Sequence, residues 1–287
     1  METLTTKAAV AAFAATHHRA GRRIAFVPTM GALHDGHLEL MRAAARHADI
    51  VLASIFVNPT QFGPGEDFER YPRDTKGDLQ KAAHAGCHAV FLPSVAEMYP
   101  PGAETTVQVP SLAGVLEGAA RPGHFTGVAT VVLKLLNITR CDVAIFGQKD
   151  CQQLAVIRRL VHDLDVPVEI IGHPIVREAD GLAMSSRNVY LSAEQRSEAL
   201  SLSQGLAAAE AAWQAGERDP RALEAAARGP IAATQGEVGY IEVRNAFDLG
   251  VLEAPITEPV VLVMAVRFGK TRLLDNRLLG VLSDTRA

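Results

Sequence analysis

The sequence predicts an α/β protein: a mostly parallel sheet covered by helices over residues 1–176, then a smaller α+β domain over residues 177–287. Three observations predict it. Short apolar runs alternate with segments of helical period through the first part of the chain, the mark of β-α-β units. After about residue 175 the texture changes to alanine-rich helical segments followed by β-like runs. The length, 287 residues with 48% hydrophobic and 21% charged, allows two unequal domains with sizeable cores and no need of staples.

Each element follows from its local pattern. Residues 24–28 and 50–57 read as buried strands, with a helix at 38–48 between them. A helical pattern at 78–85, a strand at 89–92 and a β-like stretch at 105–109 come next. Residues 126–138 are apolar with a helical period, followed by a strand at 143–146, a helix at 152–164 and a strand at 168–171. In the second domain, helices are predicted at 193–215 and 220–233, and β-like runs at 240–243, 260–266 and 271–276. The stretch 58–65, with Gly63-Pro64-Gly65, reads as a loop and a candidate flap.

Charge and cysteine use narrow the function classes. Twenty-eight Lys and Arg against 32 Asp and Glu give a formal charge of −4, without the general basic surface of a nucleic-acid binder. The three cysteines, Cys87, Cys141 and Cys151, are odd in number and lack C-x-x-C spacing, which fits a reducing compartment and idle thiols. The apolar run at residues 8–15 is followed by His17, His18, Arg19, Arg22 and Arg23, and reads as a short surface helix, not a signal peptide. No apolar run approaches the roughly 18 residues of a membrane span. The expected address is the cytoplasm, with no membrane partner.

In parallel sheets ligands bind beyond the carboxyl ends of the strands, so segments that directly follow strands carry the most weight. The first is Pro28-Thr29-Met30-Gly31-Ala32-Leu33-His34-Asp35-Gly36-His37. A strand–loop–helix junction offers backbone N–H groups and a helix dipole to phosphate, and glycine lets a ligand approach closely. His34 and His37, three apart, can share one side of the helix start and donate hydrogen bonds to charge developing on a phosphate. No third ligand nearby suggests a zinc site. This segment also resembles the H-x-G-H signature of the adenylyl- and cytidylyltransferase superfamily, which includes the class I aminoacyl-tRNA synthetases.

The second segment, Phe56-Val57-Asn58-Pro59-Thr60-Gln61-Phe62, brings Asn58 and Gln61, whose paired donors and acceptors suit a small polyhydroxy acid. The third, Phe146-Gly147-Gln148-Lys149-Asp150-Cys151-Gln152-Gln153, offers Lys149 to phosphate, Asp150 as a helix cap and Gln153 one turn on. The fourth, Gly181-Leu182-Ala183-Met184-Ser185-Ser186-Arg187-Asn188, puts hydroxyls and an arginine in the loop at the domain boundary, apt for clamping a polyphosphate. Alone, each also reads as ordinary turn or linker chemistry. Chemistry alone reaches an ATP-using nucleotidyl-transfer enzyme.

Together the four segments resemble the pantothenate synthetase family. The resemblance runs from Phe26-Val27-Pro28-Thr29-Met30-Gly31 to Arg272-Leu273-Leu274-Asp275-Asn276, and takes in Gly123-His124-Phe125-Thr126-Gly127-Val128 and Arg177 through Asn188. It implies a Rossmann-like first domain, a homodimer, ATP as substrate and Mg²⁺ accompanying it. The reaction implied is condensation of pantoate with β-alanine through a pantoyl-adenylate, with release of pyrophosphate and then AMP.

By position, the resemblance assigns Met30, Gly31, Ala32, Leu33, His34, Asp35, Gly36 and His37 to ATP, with His37 catalytic and His34 its aid. Gly147, Gln148, Lys149 and Asp150 are assigned to the nucleotide, Val176 to a place beside adenine, and Met184, Ser185, Ser186 and Arg187 to the phosphates. Gln61, Gln153 and Asn58 are assigned to pantoate, and Gln61 also to β-alanine. The family often carries adjacent acids after Tyr-Pro-Arg; here Tyr71-Pro72-Arg73-Asp74-Thr75-Lys76-Gly77-Asp78 leaves Asp78 as the one candidate metal ligand, behind a glycine. No residue in these segments offers itself as a general base for the amine step. Rival readings are another nucleotidyltransferase sharing the H-x-G-H loop and a nucleotide sensor without chemistry. A nicotinamide dehydrogenase is unsupported, since no G-x-G-x-x-G follows the first strand.

Overall fold

The structure is a computed structural model that describes residues 1–280. The chain forms two compact units: Met1–Gln148 with Gln152–Val176, and Lys149–Cys151 with the chain from Arg177 onward.

The first unit begins with β1 (Glu2–Leu4), α1 (Lys7–Arg19), β2 (Ile24–Thr29), α2 (Asp35–Ala44) and β3 (Ile50–Ile55). It continues with α3 (Thr75–His84), β4 (Ala89–Phe91), the short helices α4 (Val95–Met98), α5 (Pro110–Ala113) and α6 (Leu116–Ala120), and the long α7 (His124–Thr139). Then come β5 (Val143–Gly147), α8 (Cys151–Asp163) and β6 (Glu169–His173). The six strands form one sheet in the order β1-β4-β3-β2-β5-β6, and every pairing is parallel. This is the doubly wound α/β architecture the alternating pattern predicts.

Parallel strands must be covered on both faces, which is why they read as continuous apolar runs. One set of alternate residues, including Ala25, Val27, Val51, Ala53 and Ile145, packs against Leu38, Met41 and Ala44 of α2 and Ala82 of α3. Helices α1 and α7 also pack on β2. Val10, Phe13 and Ala14 of α1 are buried, so this helix belongs to the core layer and not simply to the surface. The chain leaves β2 toward β3 on one side, while β5 lies on the other. The carboxyl ends of β2 and β5 therefore flank the point where strand order reverses, the usual ligand crevice of such sheets.

Other expectations are adjusted. Residues 105–109 form no strand: the Val107 amide donates to the Thr130 hydroxyl of α7 (2.9 Å) instead of to a ladder. The helix expected from residue 38 begins at Asp35, because His34 already serves as its N-cap. Strand β1 escaped notice because a three-residue strand has too short an apolar signal to read.

The second unit carries α9 (Ala193–Gln214), α10 (Pro220–Ala232), β7 (Glu237–Asn245), β8 (Val260–Phe268) and β9 (Thr271–Leu279). Its three strands are antiparallel in the order β7-β8-β9. Ser192 and Gln195 cap α9 reciprocally, each side chain accepting the other's backbone N–H. The alanines of both helices make room for close packing, with Leu202, Leu206, Leu223 and Ile231 set against Leu262 and Met264 of β8.

Burial accounts for two of the three thiols. Cys87 and Cys141 lie in the first unit's interior, where desolvation pushes each up to about 12 and leaves it protonated at neutral pH.

Candidate active site

Strand β2 ends at Thr29, whose hydroxyl donates to Ser54 O on β3 (2.7 Å) and accepts the Gly31 amide (3.2 Å). Two left-handed residues follow, Gly31 (φ +86°) and Ala32 (φ +52°). For an alanine that conformation costs about 1–2 kcal/mol, so neighbouring structure must hold it. Asp78 of α3 does. Buried at 1% exposure, it accepts the Ala32 N–H on Oδ2 and the Leu33 N–H on Oδ1, both at 2.8 Å. Lys81, one helical turn on, donates to Leu33 O at 2.7 Å. Gly31 makes the close approach possible, because a Cβ there would stand 2.9 Å from the Asp78 carboxylate.

This corrects part of the sequence reading. The amides of Ala32 and Leu33 turn inward to Asp78 and are not offered to a phosphate. What the loop presents is the first turn of α2. His34 caps it, and its carbonyl accepts the His37 N–H at 2.8 Å. The His37 Nδ1 accepts the His34 N–H at 3.4 Å, which leaves the proton of the neutral ring on Nε2. The two rings lie 4.1 Å apart between centroids. Both are half-buried, as are Met30 and Gly36, while Asp35 is exposed.

After β3 the chain enters a 3-10 turn at Pro59–Gln61, capped by Asn58. Asn58 is 1% exposed and fully engaged. Its Nδ2 donates to Gln61 Oε1 (3.1 Å) and Gly127 O (3.2 Å), while its Oδ1 accepts from the Tyr99 hydroxyl (2.9 Å) and from Thr60. With its oxygen held, Gln61 turns its amide nitrogen toward Met30 Sδ at 3.1 Å. The loops after β2 and β3 therefore meet, and Asn58 acts by orienting Gln61.

Gly127 lets α7 carry this turn, since a Cβ on it would come within 2.2 Å of Thr60 O. Gly127→Ala is expected to lose about 2–3 kcal/mol of stability through this overlap and to disturb the seat of Gln61. Urea unfolding and initial rates check both; a stability equal to the wild type would contradict the packing.

The Gln61 carbonyl accepts from His124 Nδ1 (2.8 Å) and Arg121 Nη2 (3.4 Å), and Arg121 pairs with Glu66 in the glycine-bearing stretch beyond (2.5 and 2.8 Å). The hydrogen bond from Arg121 holds the Glu66 carboxyl below its usual range, against the opposing effect of burial. A depressed folded-state value stabilises above the unfolded value and is lost as pH falls through the folded one. Thermal melts should show Glu66→Gln less stable than wild type at neutral pH, the gap closing as pH falls below about 4.5. A pH-independent gap would sink this account.

Strand β5 delivers Gly147 and Gln148 beside the end of β2, and the Gln148 amide donates to Gly172 O on β6 (3.3 Å). Gln152 is committed to structure, donating to Leu112 O and Val115 O at 2.7 Å each. Gln153 on α8 and Val176 after β6 are half-buried.

Lys149 and Asp150 group with the second unit, their side chains 4.0 Å apart at the closest charged atoms. The Lys149 carbonyl accepts from Asn276 Nδ2 on β9 at 2.8 Å. The neighbouring Asp275, almost wholly buried, grips Arg177 with both oxygens (2.7 and 2.9 Å). Arg177 also donates to Gly181 O (3.0 Å), closing a hairpin whose Leu182 and Ala183 enter the core. Asn188 ties the far side to Glu178 and to Ala183 O. Met184, Ser185, Ser186 and Arg187 lie between these anchors, all half-buried.

The sequence profile of the pantoate-beta-alanine ligase family matches residues 2–278. The chain belongs to that family. It is 53% identical over 274 residues to the pantothenate synthetase of Pelotomaculum thermopropionicum, covering 95% of this chain and 97% of that one. With the pantothenate synthetase of Moorella thermoacetica it shares 53% identity over 282 residues, 98% and 99% of the two chains. A crystal structure of pantothenate synthetase from Thermus thermophilus superposes with a TM-score of 0.91 at 44% identity, over 96% of this chain and 99% of that one. The Francisella tularensis pantoate-beta-alanine ligase, solved with beta-gamma ATP and beta-alanine, gives 0.77 at 33% identity, over 97% of each chain.

Several residues that hold the candidate segments in place were passed over by motif reading. Lys81 was recoverable in principle, since it lies one helical turn from Asp78. Tyr99, Arg121, Asp275 and Asn276 were not, because each acts through a contact between segments distant in sequence. Among the described residues, no group of three or more His, Cys, Asp or Glu side chains is placed to hold a metal, and no helix is long and apolar enough to cross a membrane.

Proposed function

We propose that this chain carries out its family's ligation, the ATP-dependent condensation of pantoate with β-alanine, with the residues brought together at the carboxyl ends of β2, β3 and β5. The observation that carries the assignment is the Gln61–Met30 contact, which sets an acid-recognising amide against the H-x-G-H loop. The pantoate carboxylate attacks the α-phosphate of ATP, forming the acyl-adenylate and releasing pyrophosphate. The amine of β-alanine then attacks the acyl carbon, an amide forms and AMP leaves.

In this reading His37, carrying its proton on Nε2, donates to the phosphate oxygens as charge builds on them, with His34 stacked beside it. Met30, Gly31, Ala32, Leu33, Asp35 and Gly36 shape that end of the ATP site, and Gly147, Gln148 and Asp150 the nucleotide side. Lys149 and Arg187 supply positive charge to the phosphates, with Met184, Ser185 and Ser186 in the same segment as Arg187. Val176 lies against adenine. Gln61 and Gln153 hold pantoate, Gln61 also meets β-alanine, and Asn58 fixes the Gln61 amide. Mg²⁺ accompanying ATP would neutralise charge on the phosphates. The second step requires mainly the positioning of a neutral amine. We further propose a homodimer acting in the cytoplasm.

The test is ATP turnover with pantoate and β-alanine omitted in turn. Pyrophosphate release should need pantoate, and multiple-turnover AMP formation should need both acids. A stable nucleotidylated product that ignores β-alanine would place the chain with the nucleotidyltransferases instead.

A further inference from the structure

The first-turn carboxylate of α3 does a different job from the one its place in the sequence suggests. Asp78 is buried, each of its oxygens accepts one backbone amide, and Gly31 is the residue that admits it. Lys81 takes the Leu33 carbonyl, so two charged side chains one helical turn apart hold three backbone polar groups of two adjacent loop residues. That backbone carries the left-handed pair Gly31 and Ala32 and runs straight into His34, the cap of α2. Asp78 is itself set by Asp74, which caps α3 by accepting the Gly77 amide at 3.0 Å. The Asp74 side chain folds over Gly77 into the space a Cβ would take, 2.0 Å from its Oδ2. The glycine that replaces an acid before Asp78 is thus part of the same arrangement.

We propose that Asp78 and Lys81 are positioning residues for adenylate formation. They hold the Gly31–Ala32–Leu33 turn so that His34 and His37 stand where the phosphates react, and Asp78 is not a ligand of Mg²⁺. The inference rests on the reading of the His34–His37 loop as the ATP site. Asparagine at position 78 keeps one acceptor but sets an NH₂ group against the second amide, so the turn loses half of its anchor. Methionine at 81 keeps the apolar stem and removes the donor to Leu33 O.

The experiment measures pyrophosphate release from ATP and pantoate by the full chain, varying ATP and Mg²⁺ independently. It compares the wild type with Asp78→Asn, Lys81→Met and His37→Ala. The expected result is a fall in kcat of about 10- to 100-fold for Asp78→Asn, the scale of misplacing a catalytic group by an ångström. Lys81→Met should fall in the same direction by less, and the Mg²⁺ concentration for half-maximal rate should stay at the wild-type value in both. Recovery of the Asp78→Asn rate at high Mg²⁺ would overturn the proposal in favour of a metal ligand. A wild-type kcat in either variant would also overturn it, and Lys81→Met decides alone should Asp78→Asn not fold. Full activity in His37→Ala would instead remove the ATP-site reading on which the inference stands.

Discussion

His37→Ala is expected to slow pyrophosphate release from ATP and pantoate by about 100- to 1000-fold, the usual loss when one preorganised donor to developing charge is removed. The ring is half-buried at the first turn of α2, where its Nδ1 accepts the long 3.4 Å bond from the His34 amide. Alanine is a good helix former at such a position, so the fold should survive, with a circular dichroism spectrum like that of the wild type. Because the charge builds only as the phosphate reacts, kcat should fall much further than ATP affinity. An equal rise in KM with unchanged kcat would mean that His37 binds ATP without taking part in the chemistry.

Asp275→Ala is expected to produce the largest loss of stability, about 3–5 kcal/mol, because it strands a guanidinium beside a buried site. The Asp275 side chain is 1% exposed and holds Arg177 with two hydrogen bonds; without it the arginine keeps the Gly181 carbonyl. Asp275→Asn keeps one acceptor and should cost less. Urea unfolding of both variants measures the difference. A loss under about 1 kcal/mol in the alanine variant would show that the Arg177 head finds water instead of strain. Arg187 follows the hairpin that starts at Arg177, so under the role proposed for Arg187 the ATP KM of the folded asparagine variant should rise as well.

Much of the fold was legible because its signals are local. Strands β2, β3 and β5 are apolar at nearly every position, and the helices between them keep a 3.6-residue period, so the α/β class follows from pattern alone. The stretch at 105–109 misled for the same reason: Thr105, Val107 and Val109 alternate like a strand, yet the Val107 amide is taken by the Thr130 hydroxyl of a helix. At the candidate site, motif reading singled out glycine, histidine and glutamine because such residues after a strand are conspicuous. It misjudged where their polar groups point. The junction rule offers the Ala32 and Leu33 amides to phosphate, but a carboxylate 45 residues away in the sequence from Leu33 has already taken them. Asn58 is picked out as a substrate ligand because its type suits a hydroxyl acid, and only the Tyr99 hydroxyl and Gly127 carbonyl reveal that it braces the turn as well. Partners of that kind are set by tertiary contact, and no spacing rule encodes them.

The hydrogen bond from Asn276 to the Lys149 carbonyl has a bearing on how this chain can be recombined. In covalent order Lys149 sits between β5 and α8, well inside the first 176 residues, yet Lys149–Cys151 packs as part of the other unit. A fragment ending at Val176 would keep the lysine and lose the side chain that receives its backbone. A chimera taking its C-terminal unit from a relative would import a foreign seat for a native cation. Successful crossovers should therefore be those that exchange the Lys149 tripeptide together with β9, two stretches of sequence that behave as one heritable block.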